Sequence, residues 1–155
     1  MRRLLRAAAE RTAGHVVETR ADEFFAAYES PAAALDTAVT VQRELERRRW
    51  PDDVEVRVRI GIHSGYPRLV DANYIGMAIH TAARICGAAH GGQILASGDT
   101  REAATGITPA GVGFRHLGEY RLRGIPAAVS LHQVTAKGLA SRFPEPRSTV
   151  DARMP

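Results

Sequence analysis

The stretch "VEVRVRIGIHSG", residues 54–65, decides how the chain is read. Val54, Val56, Val58, Ile60 and Ile62 alternate with Glu55, Arg57, Arg59 and Gly61. A period of two puts every apolar side chain on one face, which predicts a half-buried strand. It is the clearest periodicity in the sequence. Before it, "PAAALDTAVTVQRELERRR" (31–49) sets Ala34, Leu35, Ala38, Val41 and Leu45 on one helical face. Ser30-Pro31 starts that helix with an N-cap and a proline at the first helical position. After it, "YPRLVDANYIG" (66–76) reads as a loop and "MAIHTAARICGAAHGG" (77–92) as a small-residue helix stopped by Gly91-Gly92.

Further out, "RRLLRAAAERTAG" (2–14) places Leu4, Leu5, Ala8 and Ala9 on one helical face, with Gly14 as its stop. "HVVETRA" (15–21) and "EFFAAYE" (23–29) read as two strands in a tight hairpin around Asp22. "QILASG" (93–98) is a short strand and "DTREAA" (99–104) a short capped helix. "FRHLGEYRLRGIPAAVSLHQV" (114–134) gives two strands joined through "RGIPAA". The order αββαβ(loop)αβαββ predicts an α+β domain over residues 1–134, with helices on one face of an antiparallel-rich sheet. From Thr135 on, proline, serine and arginine without period predict a flexible tail or linker stub, 135–155.

The chain has 155 residues, 45% of them hydrophobic and 25% charged, which is enough for one core and ordinary for a globular protein. Its apolar runs fall far short of the roughly 20 residues a membrane helix needs, so no membrane partner is expected. Glu10 and Arg11 interrupt any signal-peptide core at the N-terminus. The lone cysteine, Cys86, forms no internal disulfide; it reads as a buried thiol and points to a reducing, cytoplasmic setting. The formal charge of +4 comes almost entirely from arginine, Lys137 being the only lysine. That charge is either a solvated surface or an attraction for phosphates. Nucleic acid is disfavoured, since aromatics are 6% and no basic run is interleaved with stacking residues.

Four segments, in this order, carry a family resemblance: "VVETRADEFFAAY", "VRVRIGIHSGYP", "NYIGMAIHTAARICGAAHGGQILAS" and "FRHLGEYRLRGI". Over roughly Leu4 to Val134 the chain resembles the class III adenylate/guanylate cyclase catalytic domain, in its actinobacterial cyclase-like type. The resemblance implies a ferredoxin-like βαββαβ-type fold whose chains pair head to tail as a homodimer, with GTP or ATP between them. Two divalent metals, Mg2+ or Mn2+, would be held by two aspartates and would activate the ribose 3′-hydroxyl and neutralise the α-phosphate. It also implies that the family's first strand and first metal aspartate lie outside this sequence, which starts within the first helix. Two strands would then have open edges, to be closed by rearrangement, strand exchange or dimerisation.

Carried over residue by residue, Asp22 takes the second metal position, although the glycine usual before it is Ala21. Glu18 stands where the family reads the purine; a carboxylate there accepts from guanine N1–H and the amino group. The companion base-reading position falls on Asn73, in place of the usual Asp or Cys. The transition-state pair, Asn and Arg four apart, reads as His80 and Arg84. Arg123 matches a triphosphate-binding lysine, keeping the charge but not the geometry. Each has a plainer reading. Asp22 is an ordinary turn residue, Glu18 a solvent-facing carboxylate, Arg84 a solvent-face arginine, and His80 an interior or interface histidine. His63, His90, His116 and His132 show no metal-ligand spacing, and no function is assigned to them.

Three functions follow as expectations. The first is a degenerate cyclase homology domain, dimerising and nucleotide-binding, in cyclic-nucleotide-type signalling. With one metal carboxylate it would turn over on the order of a thousandfold more slowly. The second is an active cyclase converting GTP or ATP to a 3′,5′-cyclic nucleotide and pyrophosphate, leaning to guanine through Glu18. The third is a basic binding module for nucleic acid or a regulator partner.

Overall fold

In the computed structural model, residues 1–20, 22–65 and 72–147 are described. The element order is α1 (Arg2–Arg11), β1 (His15–Arg20), β2 (Glu23–Ala27), α2 (Pro31–Arg47), β3 (Ile60–Ile62), α3 (Ala72–Ala88), β4 (Ile94–Ser97), α4 (Gly98–Ala103), β5 (Val112–Tyr120) and β6 (Val129–Ala136). The strands form two sheets. One is the antiparallel hairpin β1-β2; the other has the order β3-β4-β6-β5, parallel only between β3 and β4.

The α+β class with an antiparallel-rich sheet holds, but the helices lie on both faces of the larger sheet rather than on one. The reason is β4, whose four residues are all buried. Ile94 and Ala96 pack with Leu35, Ala38 and Val39 of α2 and with Ala104 after α4. Leu95, pointing the other way, packs with Ile85 and Ala88 of α3 and with Leu131 of β6. A strand with no polar face needs cover on both sides.

The predicted strand at 54–65 is regular only at Ile60–Ile62. Gly92 N–H donates to Val58 O and Ile60 N–H to Gln93 O, at 2.8 and 3.1 Å. Beyond Val58 the neighbouring chain turns away through Gly91-Gly92 toward α3, so residues 54–57 have no ladder to join. The alternation survives: Val56, Val58, Ile60 and Ile62 are half-buried, and Glu55, Arg57 and Arg59 are exposed.

Helix α2 starts as predicted, with Ser30 Oγ accepting from Ala33 N–H and Pro31 first in the helix. Helix α1 ends differently. Ala13 N–H donates to Glu10 O and Gly14 N–H to Ala9 O, a Schellman closure whose left-handed residue is Ala13, φ 59°. Gly14 is needed for packing instead, because a methyl there would lie 2.5 Å from the Tyr28 ring. Helix α3 begins at Ala72, so the end of the predicted loop is helical, while 66–71 lie outside the described residues. The segment expected to be a flexible tail makes backbone contacts as far as Arg147. Gln133 Nε2 donates to Ser141 O, His90 Nε2 to Glu145 O, and Arg147 N–H to Ala88 O, at 2.9, 2.7 and 2.8 Å. Residues 148–155 lie outside the described residues.

Candidate functional site

Helix α3 is the backbone of the site. Ile85 is fully buried against Leu95, Tyr120, Leu122 and Leu131. A methyl on Gly61 of β3 would lie 2.3 Å from Cys86 N and 2.8 Å from Ala82 O, so the Ala82–Cys86 side of α3 rests directly on β3. Cys86 Sγ also donates to Arg59 O at 3.2 Å. Burial pushes this thiol up, Arg59 and the Gly61 backbone lower it, and Glu23 adds to the rise. The resting thiol is therefore protonated and unreactive.

His80 and Arg84, four apart on α3, share a face and are both half-buried. Cys86 lies two positions from Arg84, about 200° round the helix. The His80–Arg84 face thus looks away from β3 and toward the connection between β5 and β6. There Leu122, 5% exposed, and Ile125 anchor a tight turn closed by Ile125 N–H donating to Leu122 O at 3.1 Å. Gly124, φ 76°, fills the position where a type II turn demands a positive φ, and Arg123 precedes it, exposed. A methyl at Gly124 would lie 2.8 Å from His80 Nε2. His80 is therefore in contact with the Arg123-Gly124 turn, and Arg84 lies one helical turn along the same face of α3.

Asp22 is exposed at the tip of the β1-β2 hairpin, which forms a sheet separate from the strands that carry the Arg123 turn, and it stands beside Glu23, whose charge is felt by Cys86. Ala21 lies outside the described residues. Glu18 is on β1, paired with Phe25 next to a register shift after Val16, and Asn73 is in the first turn of α3. Their side chains lie outside what is described. Among the described residues, Asp22, His80, Arg84 and Arg123 make no ion pair with one another, and no three His, Cys, Asp or Glu side chains are grouped to hold a metal ion.

Two histidines given no function have structural partners. His63 Nδ1 meets Ser97 Oγ at 2.9 Å, and Ser97 also accepts from Thr100 N–H as the N-cap of α4. Burial pushes His63 below the usual histidine value, and Asp99 partly restores it. His132, 7% exposed, lies opposite His116 across β5-β6 with ring centroids 4.8 Å apart. Burial pushes it down, helped by the charges of His116 and Arg101 and opposed by Glu119. Its Nε2 meets Ser130 Oγ at 3.1 Å, and its buried Nδ1 has no partner. Ser97, a residue type favoured at helix N-caps, is the local signal that could have placed this cap. Nothing local signalled the histidine pair, which depends on strand register.

No family model matches the chain. An uncharacterized protein of Mycobacterium tuberculosis is 33% identical over 127 residues, 82% of this chain and 42% of that protein. The chain thus spans less than half the length of this relative. An adenylate cyclase of Trypanosoma brucei, solved in its monomeric state, matches with a TM-score of 0.74 at 26% identity, over 94% of this chain and 81% of that one. The adenylate/guanylate cyclase/hydrolase of Silicibacter pomeroyi matches with 0.73 at 25%, over 88% and 81%. The fold shared with both, joined to the AAR helix and the arginine turn it positions, gives one conclusion: the chain belongs to the class III adenylate/guanylate cyclase catalytic-domain family.

Proposed function

We propose that the chain is a nucleotide-binding cyclase homology domain of low turnover that works as a head-to-tail homodimer in intracellular cyclic-nucleotide-type signalling. One observation carries the reading. The cationic face of α3, with Arg84 and the neighbouring Arg123 turn, looks away from β3, while Asp22 stands at the tip of the separate β1-β2 hairpin and, among the described residues, pairs with neither arginine. On this reading the carboxylate and the two arginines of one chain belong to different halves of two sites. A second copy, reversed, supplies the missing half of each site.

In each composite site, Glu18 accepts from guanine and favours GTP over ATP, with Asn73 its companion. Arg84 and Arg123 neutralise phosphate charge. Asp22 offers one hard carboxylate, which suits Mg2+ or Mn2+ only when nucleotide phosphates complete the shell. A metal held there would supply positive charge to polarise a nucleotide phosphate. Low turnover is supported by His80 in the carboxamide position and Asn73 in place of Asp or Cys.

Titration of the purified protein with GTP and ATP, with and without manganese, tests this reading, with cyclic product assayed in parallel. Tighter binding of GTP, strengthened by manganese, with negligible product is expected. Robust product from a cyclase-null host refutes low turnover, and no nucleotide binding at any metal level refutes the whole.

A further inference from the structure

The substitution at position 80 has a geometric counterpart at position 124. The turn from Leu122 to Ile125 is anchored at both ends in the core, and its tip, Arg123-Gly124, is exposed. At that tip the glycine is bare where a side chain would begin, and the half-buried His80 imidazole occupies the space: a methyl on Gly124 would lie 2.8 Å from Nε2 and 3.7 Å from Cε1. The contact joins ring to Cα with no hydrogen bond among the described residues, so its value lies in shape.

From this contact we propose that His80 is a positioning residue. Its ring seats the type II turn on α3 and so fixes Arg123 beside Arg84, one helical turn along. The inference rests on the nucleotide-binding reading for its purpose, though not for its geometry. An asparagine is shorter than histidine and would leave the turn tip unsupported. In this chain, therefore, position 80 acts through Arg123 and not on the substrate. Phosphates beyond the first would feel the loss of the turn, and the base would not.

The experiment compares wild type with His80→Ala and His80→Phe. Amide exchange at residues 122–125 reads the seating without any ligand. It should quicken in His80→Ala and return toward wild type in His80→Phe, which keeps a planar ring without a nitrogen. Binding of a fluorescent GTP analogue should weaken about tenfold in His80→Ala and recover in His80→Phe, while binding of GMP stays nearly constant. Unchanged exchange in His80→Ala overturns the proposal, as does a His80→Phe variant as impaired as His80→Ala, or an equal loss of GTP and GMP. If wild type binds no nucleotide, the proposed function falls, and the exchange arm alone decides whether His80 seats the turn.

Discussion

Ala13 sits where helices commonly place glycine. Its φ of 59° costs an L-residue about 1 kcal/mol, and the Schellman bonds around it hold it there. Ala13→Gly should therefore raise stability by about 0.5–1 kcal/mol, seen as a higher urea midpoint at constant slope. The sequence pointed to the neighbouring Gly14 because glycine is the usual stop. Only the Tyr28 ring, brought over by the hairpin, explains why position 14 also excludes a side chain. The histidines show the same limit. His132 and His116 are far apart in sequence and meet through register, next to a bulge. His132 and His63 both have folded-state pKa values below the ordinary 6.5. As pH falls through that value, the unfolded chain takes up protons that the fold refuses, so stability declines and goes on declining until the lowered values are passed. Urea unfolding between pH 7 and pH 5 should show this acid loss, and His132→Phe should flatten part of it. A pH profile identical in wild type and variant would remove His132 as a source.

At the level of elements, periodicity predicts type well and extent poorly. Four of the five apolar positions from Val54 to Ile62 follow the alternation, Val54 being exposed, yet only Ile60–Ile62 is regular, because a ladder needs a neighbour and β4 is short. The helix starting at Met77 in the sequence reading extends back to Ala72, since Gly76 lies within α3 with nothing within 4 Å of its missing side chain. Glycine in a helix is a signal without a fixed meaning, and packing supplies the meaning. The α3–β3 contact makes this testable with two substitutions. Gly61→Ala drives a methyl into the Cys86 backbone and should cost about 3 kcal/mol, since neither element can retreat without uncovering core. Gly87→Ala, inside α3 with open space around it, should gain about 0.5–1 kcal/mol through helix propensity. Opposite signs in denaturant unfolding are expected. Equal effects would mean that α3 does not lie on β3 as closely as described.

On the scale of the whole molecule, the candidate site is legible in parts but not as an assembly. Arg84 and Arg123 could be matched from their local wording, and α3 does bring His80 to the Arg123 turn. The separation of Asp22's hairpin from the larger sheet was not legible, because it depends on β1 and β2 pairing only with each other. This separation gives the dimer proposal a sharp consequence. If each site takes Asp22 from one chain and Arg84 from the other, Asp22→Ala and Arg84→Ala each spoil both sites of their own homodimer. Mixed after unfolding and refolding together, the two variants form mixed dimers. One site of such a dimer then carries both substitutions and the other carries neither. Random pairing of equal amounts should restore about a quarter of the wild-type sites, since half the dimers are mixed and each has one intact site of two. Manganese-dependent GTP binding, titrated to stoichiometry, measures that fraction. If the site belongs to a single chain, mixing restores nothing, because every chain in the mixture is defective.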